Sequence, residues 1–224
     1  MSYSAIVIGG TGATGKQLVK LLLRNKKFTS VTSIGRRSVL DGEKNDKLID
    51  VVVESMADLS STQEYWNKND VFFNCIGTTR QKAGGAKEFV NIELGISLEA
   101  ARMASLANIP HVGLISASGA NHKAWAVNWL HPLLYTKTMG QKEQTVISKF
   151  HFETVSIFKP GMLIRLMSKK EWYDGITERF RIGLRVDVLA KAMMKDAEGS
   201  KLRDEESKKC FYIGNSKIME LAKR

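Results

Sequence analysis

The chain has 224 residues, 43% of them hydrophobic and 25% charged, and its 34 Lys and Arg outnumber 23 Asp and Glu for a formal charge of +11. Three prolines, no Ser/Gly-rich linker and no internal repeat point to one compact domain with a sizeable core, and Cys75 and Cys210 are too few for a disulfide framework and fit a reducing, intracellular compartment. No run of about eighteen apolar residues exists to cross a membrane, and a first strand starting about three residues in leaves no room for a signal peptide.

Ala5-Ile6-Val7-Ile8 is a short apolar run of the kind that becomes a buried parallel strand. Gly9-Gly10-Thr11-Gly12-Ala13-Thr14-Gly15 follows at once, and residues 16–24 read as a helix. The glycines satisfy both Gly10-x-Gly12-x-x-Gly15 and Gly9-x-x-Gly12-x-x-Gly15. A nucleotide-binding turn needs such glycines for a tight bend, for close approach of backbone to a pyrophosphate, and for close helix–strand packing. The helix N-terminus then offers free N–H groups and partial positive charge to the phosphates. An ordinary Gly-rich turn has the same glycines, but strand, glycines and helix stand here in the required order. Gly9, Thr11, Gly12, Ala13, Thr14 and Gly15 are the candidate cofactor-binding residues.

The next strand, Val31-Thr32-Ser33-Ile34, ends in Gly35-Arg36-Arg37. An NAD site places an acid on the ribose 2′-hydroxyl about twenty residues past the glycines. Arg36 and Arg37 occupy that place. A guanidinium grips a 2′-phosphate that an acid would repel, so the pair favours NADP over two merely solvated loop arginines.

Strand and helix signals then alternate as a doubly wound α/β sheet demands. Residues 48–53 give a third strand and 60–67 a short helix. Residues 70–76 give a fourth strand containing Cys75, which reads as a small core residue. That strand ends in Ile76 and Gly77-Thr78-Thr79-Arg80, where a cofactor backbone would pass. Residues 87–106 read as one long helix with apolar spacing at Phe89, Ile92, Ile96 and Ala100. Residues 111–115 form a fifth strand ending in Ser116-Ala117-Ser118-Gly119. Residues 135–149 are helical and 154–158 a strand, broken at Lys159-Pro160-Gly161 just before Met162, a further candidate cofactor contact. A helix over 186–196, a strand over 210–213 and a terminal helix complete the pattern.

The glycine pattern, Asn91-Ile92-Glu93-Leu94-Gly95 ahead of Leu98-Glu99-Ala100-Ala101, the serines after the fifth strand and Tyr135 together resemble the short-chain dehydrogenase/reductase superfamily in its extended and atypical branches. Ile34-Gly35-Arg36-Arg37, Gly77-Thr78-Thr79-Arg80 with Ala83-Gly84, and residues 140–143 are similar to the small NADPH-binding oxidoreductases of the Tat-interacting-protein type. The likeness runs from Ala5 to about Lys217. It implies a single Rossmann-type doubly wound parallel sheet over residues 1–224, with a small substrate-side portion from about 160 onward. It also implies an oxidoreductase acting on a small carbonyl or alcohol. In that family a Tyr is general acid or base, a Ser holds the substrate oxygen, and a Lys four residues after the Tyr binds the nicotinamide ribose and lowers the Tyr pKa. Tyr135 takes the Tyr place. Ser116 and Ser118 both stand where the Ser should be, with Ser118 at the position the extended enzymes use.

The Lys is replaced by Met139. An unassisted tyrosine has a pKa near 10, so only about one molecule in a thousand is phenolate at neutral pH. Met139 can fill space beside the ribose but donates no hydrogen bond. Lys137 lies roughly 200° around the helix and should face away, whereas Lys142 returns to the Tyr135 face displaced by roughly 10 Å of rise, and could reach part of the way back. Met139 therefore keeps open a second class of function, a nucleotide-sensing interaction or regulatory protein with weakened or lost catalysis.

Other features carry less. Lys16, Lys20 and Arg24 form a basic stripe that reads as a solvated outer face, and residues 201–209 read as an exposed loop of mixed charge. The charge excess suits an anionic membrane surface or an acidic protein partner. No zinc-finger, recognition-helix or aromatic RNA-binding signature supports a specific nucleic-acid partner. The four scattered histidines lack ligand spacing, so no metal is expected. Trp125, Trp129, Leu130, Leu133 and Leu134 read as a loop that packs in the core, covers the substrate or meets a partner. Residues 168–185, expected to line the substrate pocket, carry no readable motif. The expected compartment is the cytoplasm, with the nucleus or a mitochondrial surface as alternatives.

Overall fold

A computed structural model describes residues 1–41, 43–126, 131–164, 183–204 and 208–224. In chain order these are β1 (Tyr3–Ile8), α1 (Ala13–Arg24), β2 (Phe28–Gly35), β3 (Leu48–Val52), a 3-10 turn (Ser60–Trp66), β4 (Val71–Asn74), α2 (Arg80–Ala83) and α3 (Ala86–Val90). A π-helical segment (Asn91–Ile96) then leads into α4 (Ser97–Leu106), β5 (His111–Ile115), α5 (His131–Lys149), β6 (Thr154–Lys159), β7 (Leu163–Ile164), β8 (Leu184–Arg185), α6 (Val186–Ser200), β9 (Lys209–Ile213) and α7 (Asn215–Lys223). Seven strands form a parallel sheet in the order β3-β2-β1-β4-β5-β6-β9, and β7 pairs with β8. This is the doubly wound Rossmann-type α/β fold. The order reverses between β1 and β4, so the crevice at their carboxyl ends is the topological switch point where such sheets bind ligands.

Alternation along β1 divides the core. Tyr3, Ala5 and Val7 face a layer of α1, α6 and α7, packing with Leu18, Leu22, Met193 and Ile218. Ile6 and Ile8 face the other way, against Trp66, Phe72, Ala100, Met103 and Val146. Each fully buried Val, Leu, Ile, Phe or Met side chain among them contributes about 1.5–3 kcal/mol relative to leaving it in water.

Three readings need correction. The helix expected over 87–106 is divided: Gly84, at φ 85°, ends α2, and a π segment separates α3 from α4. Glu93 and Ser97, four and eight residues past the buried Phe89, are buried, while Ile92 and Ile96 are only partly so. Second, α5 begins at His131, so Leu133 and Leu134 belong to a helix and Leu134 is buried. Trp125 is 68% exposed, and Trp129 and Leu130 lie outside the described residues. Third, the segment after α6 is not merely a solvated loop. Arg203 folds inward onto Asp196 and Ser156, and Lys201 pairs with Asp70 at 2.7 Å. Of the expected pocket segment, residues 168–185, residues 168–182 lie outside the described residues.

Candidate functional site

The turn between β1 and α1 tolerates side chains poorly. Gly9 has φ +80°, and a Cβ there would stand 2.7 Å from the backbone carbonyl of Cys75 at the end of β4. A Cβ on Gly15 would lie 2.1 Å from the Gly9 carbonyl oxygen. Both positions press backbone on backbone, so the first turn of α1 sits directly over the switch point. Gly12 caps α1 in an extended conformation without any side-chain hydrogen bond, and the first turn contains no acid. Thr11, Gly12 and Ala13 are exposed, whereas Thr14 is buried. The helix start is thus open to an anion, and a dinucleotide's pyrophosphate fits these residues.

Arg36 and Arg37 are both exposed just past β2. A residue the sequence reading passed over shapes their loop. Asp50 in β3 accepts hydrogen bonds from Ser38 Oγ at 2.7 Å and from Val39 N–H at 3.0 Å. That carboxylate pins the chain immediately after the two arginines.

Beyond β4, Ile76 is partly buried and Gly77 exposed. The Ile76 N–H donates to Asn74 Oδ1 at 3.2 Å, and the Thr78 N–H donates to Glu93 Oε1 at 2.6 Å. Glu93 Oε2 accepts from Lys142 Nζ at 3.1 Å, with the lysine wholly buried. Beside this loop an open depression of about 750 Å³ is lined by Thr79, Arg80, Gln81, Gly84 and Gly85.

Helix α5 carries Tyr135, Met139, Lys142 and Glu143. Glu143 accepts the Ser116 hydroxyl and, on its other oxygen, Lys159 Nζ at 2.8 Å. Ser116 is thereby locked in a buried network, while Ser118 is exposed with its N–H on the Pro160 carbonyl at 2.9 Å. Tyr135 meets Phe89 at 5.9 Å between ring centroids. Burial, then the Glu93 charge, push its phenol up to about 12. Burial also raises the Cys75 thiol to about 12, against the opposing charge of Lys142. Met139 is 3% exposed, and Met162 is 58% exposed in the loop after β6. The reach-back expected of Lys142 takes a different course, for its ammonium ends on Glu93.

The first half of the chain decides the family. Residues 5–123 match the NAD dependent epimerase/dehydratase family. The chain belongs to that family. Within it, the chain is an atypical short-chain dehydrogenase/reductase of the Tat-interacting-protein type. Protein HTATIP2 of Rattus norvegicus is 32% identical over 161 residues, spanning 72% of this chain and 63% of that protein. Protein FMP52, mitochondrial, of Debaryomyces hansenii is 36% identical over 172 residues, spanning 75% of this chain and 70% of that protein. Two solved structures show the same fold. The oxidoreductase ylbE from Lactococcus lactis superposes with a TM-score of 0.66 at 16% identity, covering 98% of this chain and 95% of its own. The UDP-glucuronic acid 4-epimerase from Bacillus cereus, in complex with NAD, gives 0.66 at 12% identity, covering 98% and 90%.

A family that works with NAD(P) needs a pyrophosphate seat, a ribose contact and a reacting centre. The glycines of residues 9–15 and the loop at Gly77 meet across the switch point. Of the two serines, only Ser118 is exposed. Sequence reasoning missed Asp50, Glu93, Glu143 and Lys159. The one available signal was acidic or basic residues standing inside otherwise apolar helix and strand patterns.

Proposed function

We propose that this chain binds NADP(H) at the carboxyl ends of β1 and β4 and uses it to reduce a small carbonyl compound. The observation that supports this most directly is the uncapped, glycine-lined start of α1 beside two exposed arginines. Gly9, Thr11, Gly12, Ala13, Thr14 and Gly15 would hold the pyrophosphate. Arg36 and Arg37 would hold the 2′-phosphate, with Ile76, Gly77, Met139 and Met162 along the rest of the dinucleotide. When bound, the nicotinamide supplies a hydride. Tyr135 would donate a hydrogen bond and proton to the substrate oxygen, Ser118 would orient that oxygen, and residues from about 160 onward would close the substrate side. Calorimetric titration with NADPH, followed by its oxidation in the presence of small aldehydes and ketones, tests the reading. Absence of NADPH binding would overturn it.

A second reading rests on Met139 and on Lys142 being committed to Glu93. Lys142 then does not serve Tyr135, and the protein acts as a nucleotide-sensing partner whose surface NADPH stabilises. The FMP52 relatives are named mitochondrial. We therefore move the expected site of action from the cytoplasm toward a mitochondrial surface, where the positive charge would favour an anionic bilayer. No helix among the described residues is long and apolar enough to cross one.

A further inference from the structure

We propose that Asp50 is a positioning residue that sets the preference for NADP(H), by fixing the Arg36-Arg37 bend as a ready-made seat for the 2′-phosphate. The inference rests on the nucleotide-binding reading above and adds to it the residue that makes the two arginines selective.

The arginine bend is fastened to β3 on both sides. Gly35 is the last residue of β2, and its carbonyl accepts the Val53 N–H at 2.9 Å. Asp50 stands opposite Ser33 in the β2–β3 register. Its Oδ2 accepts Ser38 Oγ at 2.7 Å and the Val39 N–H at 3.0 Å. Only Arg36 and Arg37 lie between these anchors. An exposed arginine side chain is long and free to turn, so what the fold can fix is the backbone from which it springs. With that backbone held in advance, less freedom is lost when the two guanidinium groups grip a phosphate.

Val39 links the bend to the pyrophosphate seat. It is buried in one core cluster with Leu18 and Val19 of α1. A Cβ on Gly10 would stand 3.1 Å from Val39 Cγ2 and 2.8 Å from Ser33 Oγ. The glycine turn, the end of β2 and the chain after the arginines are therefore packed against one another, and Asp50 holds that chain by the backbone of Val39 itself. Lys16 Nζ meets Asp41 at 2.9 Å and ties the same loop to α1, but the Asp41 side chain is 81% exposed. Such a pair is screened by water and contributes little. The half-buried Asp50 carboxylate is the firmer anchor.

Asp50 is retained against its costs. Aspartate is disfavoured in strands, and Asp50 Oδ1 is buried without a hydrogen-bond partner among the described residues. Its charge, bonded to the residue next to Arg37, repels any 2′-phosphate held there. Its charge thus opposes NADPH while its two hydrogen bonds favour it. The opposite signs separate the two effects.

The test measures NADPH and NADH affinities by calorimetry on variants of the full chain, each checked for native fold by circular dichroism. Asp50→Asn keeps an acceptor oxygen for Ser38 and Val39 and drops the charge, whereas Asp50→Ala removes both. Asp50→Ala should bind NADPH about tenfold more weakly, with NADH affinity within about twofold of wild type. Asp50→Asn should bind NADPH at least as tightly as wild type. A purely structural role would weaken both nucleotides alike, and a purely electrostatic one would tighten NADPH in both variants; either result overturns the proposal. Should Asp50→Ala fail to fold, Ser38→Ala decides: it removes one of the two hydrogen bonds and keeps the charge. It should weaken NADPH by about threefold and leave NADH unchanged, and an unmoved ratio overturns the proposal. If wild type binds neither nucleotide, the nucleotide reading falls and takes this proposal with it. If wild type prefers NADPH and the variants keep that preference, the proposal falls alone.

Discussion

The Ser116 hydroxyl donates to the Glu143 carboxylate beneath the surface, and Glu143 in turn holds Lys159 from the neighbouring strand. This assigns different consequences to the two serines. Ser116→Ala leaves a buried carboxylate oxygen without its donor and should destabilise by about 1–3 kcal/mol, seen as a lower denaturation midpoint. Ser118→Ala, at an exposed position, should change stability by less than about 0.5 kcal/mol and act on turnover alone. Equal stability losses in the two variants would contradict this division.

Cofactor choice should follow the arginines. NADPH should bind more tightly than NADH by about ten- to a hundredfold, the worth of paired charge-assisted hydrogen bonds to the 2′-phosphate. Arg36→Asp should narrow or invert the preference. Calorimetric titration of both nucleotides measures it, and equal affinities in the wild type would remove the role given to Arg36 and Arg37.

Turnover should be slow in the wild type and rise in Met139→Lys. A lysine there would hydrogen-bond the ribose and stabilise the phenolate, each pKa unit being worth about 1.4 kcal/mol. The gain should vanish when Tyr135→Phe is added. Brisk NADPH-dependent turnover by the unmodified chain would show that Met139 is no impediment.

Acid stability should depend on Asp196. Burial raises its pKa, but the hydrogen bond and charge of His111, then the charge of Arg203, outweigh burial and bring it to about 2. His111 Nε2 lies 3.3 Å from its Oδ2, and the Tyr212 hydroxyl also donates to it. A folded pKa below the unfolded one contributes stability that is present above the unfolded value and lost as pH falls through the folded one. About 2 kcal/mol should therefore disappear between about pH 4 and pH 2. Urea unfolding across that window should show the loss, and Asp196→Asn should flatten it.

The outer face of α1, α6 and α7 should associate weakly with acidic liposomes at low salt. These helices share one core layer, and Lys20, Arg24, Lys191, Lys217 and Lys223 point outward from it. Sedimentation should be lost as ionic strength rises. No binding at low salt would leave the charge as a solvated surface.

The strands and the glycine turn were legible in the sequence because each rests on local physics. A buried parallel strand must be apolar, a turn pressed against backbone must be glycine, and a short helix must follow. The break within residues 86–106 was not legible, because apolar spacing at Ile92 and Ile96 describes a regular helix and nothing in it shows a carboxylate turned inward. The roles of Lys142 and Glu143 were equally hidden. They are adjacent on α5, yet one meets Glu93, 49 residues back, and the other meets Ser116 just past β5 and Lys159 in β6. Local patterning determined the α/β fold and where a dinucleotide would lie in it. Only the tertiary structure decided which charges are buried and whom they serve, because a buried ion is tolerated solely where distant segments deliver its counter-ion and its hydrogen bonds.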